Sequence, residues 1–170
     1  DTSIEGRVEV AVADFNQIMD VELPTDMSVN SADVDPLIPS FKRYLNQHIT
    51  IDFKQGLQLE DHYLHTIEFA QYIVVDFKFD QMESIPESID FDYSVLFDKD
   101  SDHIGMLIIE NDWRAGVFEQ ETNIALVFKP GDTKKSLNLG DATVTQGYWE
   151  MLKLGVHHIM EGIDHILFLI

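Results

Sequence analysis

Between residues 154 and 170 the sequence reads LGVHHIMEGIDHILFLI, which sets His157, His158, Glu161, Asp164 and His165 among apolar residues. Imidazole and carboxylate groups together are ligands for divalent transition metals, so metal binding is the chemistry this run suggests first. On a helix advancing about 100° per residue, these five side chains and Glu150 share an arc of about 120°, while most apolar residues fall on the far side. Leu154 and Phe168 interrupt the polar arc near its ends. His158 and His165, two turns apart, are placed to share one ion with side chains from another helix. The competing reading is an amphipathic helix whose polar stripe faces water and whose apolar face docks on a protein surface. Against that reading, a solvated stripe more often carries Lys and Glu than three histidines with two acids.

Two lesser constellations hold oxygen or nitrogen ligands. Asp98, Asp100 and Asp102 in FDKDSDH alternate as oxygen ligands do in calcium loops. An EF-hand fails, because His103 stands where its glycine belongs and Ile109 occupies the twelfth position in place of glutamate. An acidic hairpin turn is the plainer expectation there, with calcium-type binding second. His62 and His65 lie three apart in EDHYLHT beside Glu60 and Asp61, and a surface turn accounts for them as well as a metal does. No serine sits in a Gly-x-Ser-x-Gly elbow, and nothing else in the chain demands an enzyme or an organic cofactor.

The elements that position these residues are mostly strands. Val8, Val10 and Val12 alternate as in a half-buried strand, Phe15-Asn16-Gln17 suits a turn, and IMDVELP reads as the return strand. From Val34 to Ile49 the apolar spacing becomes three and four, predicting one helix near residues 35–47 that begins at Asp35-Pro36. Seven short runs follow, rich in branched and aromatic residues and separated by Gly, Pro, Asp and Asn: HITIDF, GLQLE, YIVVDFKFD, SIDFDYSVLF, IGMLIIEND, AGVFEQ and NIALVFKPGD. Eight or nine strands at this spacing predict a mainly β fold, an antiparallel Greek-key sandwich of immunoglobulin-like type. KPGDTKKSLNLGDATVTQG then reads as the end of the sandwich and a linker. The expected division is a β-sandwich over 1–140, a linker over 141–147 and an amphipathic, membrane-type helix over 148–170.

Composition narrows the partners. The 170 residues hold 31 Asp and Glu against 11 Lys and Arg, a formal charge of −20, which repels nucleic acid and anionic lipid. The absence of cysteine excludes disulfides, thiolate catalysis and cysteine zinc sites. Tyr148 and Trp149 open the last segment with aromatics suited to the headgroup level. Twenty-three residues at about 1.5 Å each reach roughly 34 Å, enough to cross hydrocarbon. The wholly apolar ILFLI that ends the sequence predicts that the natural chain continues, and the N-terminus predicts either a cytosolic protein or a signal peptide already removed.

His158, then five residues to Asp164-His165, with Gly162 two before the aspartate and ILFLI after, resembles the first-helix signature of the HupE/UreJ family of bacterial membrane proteins, which includes nickel permeases associated with hydrogenase and urease. The preceding 140 residues resemble the extracytoplasmic β-rich domain that a subset of the family carries, most of all in SVLFDKDSDHIGML. The resemblance implies an integral membrane protein of the cell membrane, residues 1–140 being periplasmic or on the cell surface. It also implies that His158, Asp164 and His165 handle a divalent metal, nickel or another transition ion, while His157 and Glu161 join them from the helical geometry alone. The partners expected are the lipid bilayer, a divalent cation, and further membrane helices of the same protein bearing a second His/Glu-rich motif. A different class remains open: a non-catalytic sandwich that binds protein or ligand and is anchored by its C-terminal helix.

Overall fold

A computed structural model describes residues 4–52, 58–79, 86–109 and 123–138. Of these, 49% are strand and 21% helix, so the domain is mainly β. The chain begins with strand β1 (Ile4–Ala11) and passes without a turn into helix α1 (Val12–Met19). A four-residue helix α2 (Ser31–Val34) precedes α3 (Ile38–His48), which runs directly into β2 (Ile49–Asp52). Strands β3 (Leu59–Ile67), β4 (Ala70–Phe79), β5 (Ser88–Tyr93), β6 (Gly105–Ile109), β7 (Asn123–Phe128) and β8 (Lys134–Asn138) follow.

The strands form three antiparallel sheets among the described residues, ordered β1-β4-β3, β2-β5-β8 and β6-β7. In the first sheet the register sets Val10 opposite Ile73, Val8 opposite Val75 and Leu64 opposite Ile73. Side chains alternate along a strand, so this register turns one apolar face of the sheet inward. Against that face α1 brings Val12, Phe15 and Ile18, and α3 brings Ile38, Phe41 and Leu45, all buried in one cluster with Ile73 and Val75. Phe15 and Phe41 meet edge-to-face at 4.8 Å, the arrangement that places a ring's positive edge on its neighbour's negative face.

The expected helix is present at Ile38–His48, with Pro39 in its first turn, where the missing N–H costs nothing. Ahead of it α2 has its own capping box, in which the Asn30 side chain accepts from Ala32 N–H at 3.0 Å and Asp33 accepts from Asn30 N–H at 3.0 Å. The helical region therefore starts at Ser31 and breaks around Asp35–Leu37.

Four local expectations give way. The turn at Phe15–Gln17 is replaced by α1, because Val12, Phe15 and Ile18 recur at three and are buried together on one helix face; of the expected return strand IMDVELP, Ile18 and Met19 belong to α1 and residues 20–24 are irregular. The end of α1 is marked by Asp20 in the left-handed region (φ 55°), whose N–H donates to the Asn16 carbonyl. The Asn16 side chain then holds the departing chain through both polar groups of Leu23, at 2.8 and 2.9 Å. EDHYLHT is not a surface turn but the body of β3; KKSLN, in the stretch that ends the expected sandwich, is strand β8 paired with β5. FDKDSDH is not a hairpin turn either, since β5 and β6 lie in different sheets and residues 94–104 connect them. The expected strand AGVFEQ, the linker 141–147 and the helix 148–170 fall outside the described residues.

Candidate functional site

Among the described residues, a group of chemistry-bearing side chains lies where the 94–104 connection crosses α1 and α3. Ser94 leaves β5 by donating its N–H to the carbonyl of His48, the last residue of α3, at 2.8 Å. Its hydroxyl stands 3.1 Å from His48 Nδ1 and 3.4 Å from the same carbonyl. One turn earlier on α3, Tyr44 stacks on the His48 ring with centroids 4.2 Å apart, and its hydroxyl accepts the Leu96 N–H at 2.9 Å.

Leu96 is a buried leucine in the left-handed region (φ 65°), a conformation branched or bulky residues avoid. Tyr44 and the burial of the leucine side chain hold it there. Lys99 then reaches α1, its ammonium donating to the carbonyls of Gln17 at 2.5 Å and Ile18 at 3.3 Å. A cation at the C-terminal carbonyls of a helix satisfies groups the helix cannot, and it also complements the dipole.

Tyr44→Phe keeps the packing and removes the acceptor, stranding a buried N–H on a residue already in a strained conformation. The expected cost is about 1–3 kcal/mol, read as a lower urea midpoint with an unchanged slope.

The electrostatics of this crossing are set by burial. Burial raises the Asp14 carboxyl above its ordinary value, Asp100 pushes the same way, and His103 draws it back down. Tyr44 is raised by burial and by the charge of Asp98, against the Leu96 hydrogen bond, which lowers it. Tyr93 is raised strongly, by burial first and then by Tyr44 and Asp14. Its ring lies so close over Gly105 that a Cβ there would stand 2.2 Å from Tyr93 Cε1, which leaves room for glycine alone. A carboxyl raised by folding favours its protonated form in the folded state. Asp14 therefore contributes stability at acid pH that is lost as pH rises through its folded value.

The Ser94 hydroxyl lies within reach of both His48 Nδ1 and the His48 carbonyl, and among the described residues no carboxylate is hydrogen-bonded to His48.

The oxygen ligands suggested by FDKDSDH do not converge. The Asp100 side chain is turned back to accept Asp102 N–H at 2.9 Å, and Lys99 between the aspartates is committed to α1. Among the described residues no group of three or more His, Cys, Asp or Glu is arranged to hold a metal ion. His62 and His65, at odd spacing on β3, lie on opposite faces of the strand. His62 instead pairs with Asp35 at 3.0 Å, tying β3 to the turn after α2, where the ammonium of Lys42 also reaches the Glu60 carbonyl. His157, His158, Glu161, Asp164 and His165 lie outside the described residues. No described helix is long and apolar enough to cross a membrane.

Sequence reasoning passed over Asp14, Tyr44, His48, Tyr93 and Ser94. The one available signal was Tyr44 and His48 four apart, a spacing that stacks side chains once the helix, expected to end near residue 47, runs on through His48. These features define a mainly β domain with a helical layer and a polar crossing on one side. No protein-family model, no curated protein and no solved structure matches the chain.

Proposed function

We propose that this chain is the extracytoplasmic domain and the start of the first membrane helix of a HupE/UreJ-like integral membrane protein of the cell membrane. In that role it takes part in binding or transporting a divalent, nickel-type metal. The observation that carries the reading is the His158, Asp164, His165 pattern within the apolar segment 148–170. Ionisable side chains in such a segment are costly in a bilayer unless they face an ion path or a helix bundle. His157 and Glu161 extend the same face. The three antiparallel sheets would close into a Greek-key, immunoglobulin-like sandwich, for which the crossing of the 94–104 connection between sheets is the support.

The net charge of −20 raises cation concentration near the domain over a Debye length of about 8 Å, a modest contribution at physiological salt. In this reading the domain performs no catalysis.

Nickel accumulation in cells expressing the natural gene tests the proposal. Replacing His158, Asp164 and His165 together by leucine is expected to reduce uptake to the level of cells lacking the gene while the protein still reaches the membrane. Unchanged accumulation would sink the metal reading. A second reading, a non-catalytic module that binds a protein and is anchored by its C-terminal helix, is favoured by one observation, the exposed apolar tip of the β3–β4 hairpin.

A further inference from the structure

The β3–β4 hairpin closes through Glu68 and Phe69, with Ile67 paired to Ala70. Glu68 adopts a left-handed backbone (φ 52°), and Phe69 projects with 88% of its surface exposed. Ile67 and Tyr63, four apart on one face of β3, are also exposed for their size, at 43% and 42%. Beside the hairpin runs the segment carrying Met27, another exposed apolar residue with positive φ (66°), tied to the hairpin one pair from its turn by Gln71 Nε2 donating to the Val29 carbonyl at 2.9 Å.

The sequence flanking these side chains carries charge of one sign. Residues 8–41 contain no Lys, Arg or His, and residues 55–77 contain no Lys or Arg, while acids recur through both stretches. Asp26 and Glu68, each adjacent to one of the apolar residues, are exposed. An aromatic anchor within a charged rim is the composition of a protein-binding hot spot.

We propose that the hairpin tip, Phe69 with Ile67 and Met27, docks a basic protein segment that alternates Lys or Arg with apolar side chains. Like-charge repulsion excludes nucleic acid and anionic lipid from this rim. The inference gives the module reading a class of partner and is independent of the metal reading, which is tested by uptake and not by peptide binding.

The test is fluorescence anisotropy of the 170-residue protein with a labelled peptide alternating Lys and Phe, run beside its Glu and Phe counterpart and phosphatidylcholine vesicles. The Lys peptide is expected to bind and the Glu peptide not. Phe69→Ser is expected to weaken binding by about tenfold or more, as removal of an anchor does, with Phe69→Leu retaining most of the affinity. The double variant Asp26→Asn, Glu68→Gln is expected to weaken binding and to flatten its dependence on salt. Because these side chains are exposed, the unfolding midpoints of the variants should match the parent.

Equal affinity of Phe69→Ser for the Lys peptide would overturn the proposal, showing that the acidic surface binds diffusely. Equal binding of both peptides would also overturn it. So would Phe69-dependent binding to the vesicles without binding to the Lys peptide, which would make the tip a bilayer contact.

Discussion

Phe41→Ala should lower the stability of the domain by about 3–5 kcal/mol, the range for truncating a fully buried phenylalanine. Phe41 is 0% exposed and its ring meets Phe15, also 0% exposed, edge-to-face at 4.8 Å, so the truncation forfeits both burial and an aromatic pair. The surroundings have little freedom to close over the gap. Phe41 is flanked by Ile38 and Leu45 on the same helix and faces a sheet whose register fixes Ile73 and Val75. Domains have about 5–15 kcal/mol in all, so the loss is expected to take between about a fifth and the whole of the stability. Urea unfolding followed by far-ultraviolet circular dichroism measures the loss. The double variant Phe15→Ala, Phe41→Ala should lose less than the sum of the two single losses, because the aromatic contact is counted twice when each is removed alone. A loss under about 1 kcal/mol for Phe41→Ala would mean that α1 and α3 do not share this core.

Gln17→Pro is expected to cost about 3 kcal/mol although Gln17 is exposed and buries no apolar group. Proline at this position removes a helical hydrogen bond inside α1 and clashes with the preceding turn. It also disturbs the carbonyl that Lys99 caps, loosening the 94–104 connection. A turn at Phe15–Gln17, the arrangement the local sequence suggests, would tolerate the same substitution well, since proline suits turns. The measurement is again the denaturant midpoint, with Gln17→Ala as the control that keeps the helix. If the proline variant matched the alanine variant, residues 12–19 would not be helical in the folded protein.

The parts of the fold legible in the sequence were those whose signal is local. Period-two alternation in RVEVAVA and the branched-aromatic runs YIVVDFKF and SIDFDY coincide with β1, β4 and β5, and three-four spacing coincides with α3. Each pattern reports the geometry of its own backbone, and each is long enough for the period to count. α1 escaped because Val12 serves both periods: it continues the alternation of β1 and starts the spacing to Phe15 and Ile18. In VADFNQIM the two readings are locally equivalent, and what separates them is the apolar face of β4, more than fifty residues away, on which the helix lays all three residues. Strand β8 escaped for a similar reason, since KKSLN has the composition of a linker and becomes a strand by pairing with β5.

The candidate site was less legible still. Asp14, His48, Ser94 and His103 lie on α1, α3 and the connection after β5, and no motif spacing joins them. Ser94 and His48 are 46 residues apart, and Lys99 is 82 from Gln17. FDKDSDH looked like a ligand loop because alternation of aspartates is a local property. The structure turns Asp100 onto its own backbone and sends Lys99 to cap α1, so the loop serves to fasten the connection.

By itself the sequence determined the excess of negative charge, the absence of thiol chemistry, the dominance of strands, the helix before β2 and the histidine-bearing apolar segment at 148–170. These follow from composition and short-range periodicity, which need no folded chain to be read. Only the tertiary structure decided that residues 12–19 are helical, that residues 94–104 cross between sheets over two helices, that a leucine is held there in a left-handed conformation, and that Phe69 stands exposed at the tip of a hairpin beside Glu68. Those outcomes depend on which faces meet and which charges lose water, and both arise from long-range packing that no local pattern encodes.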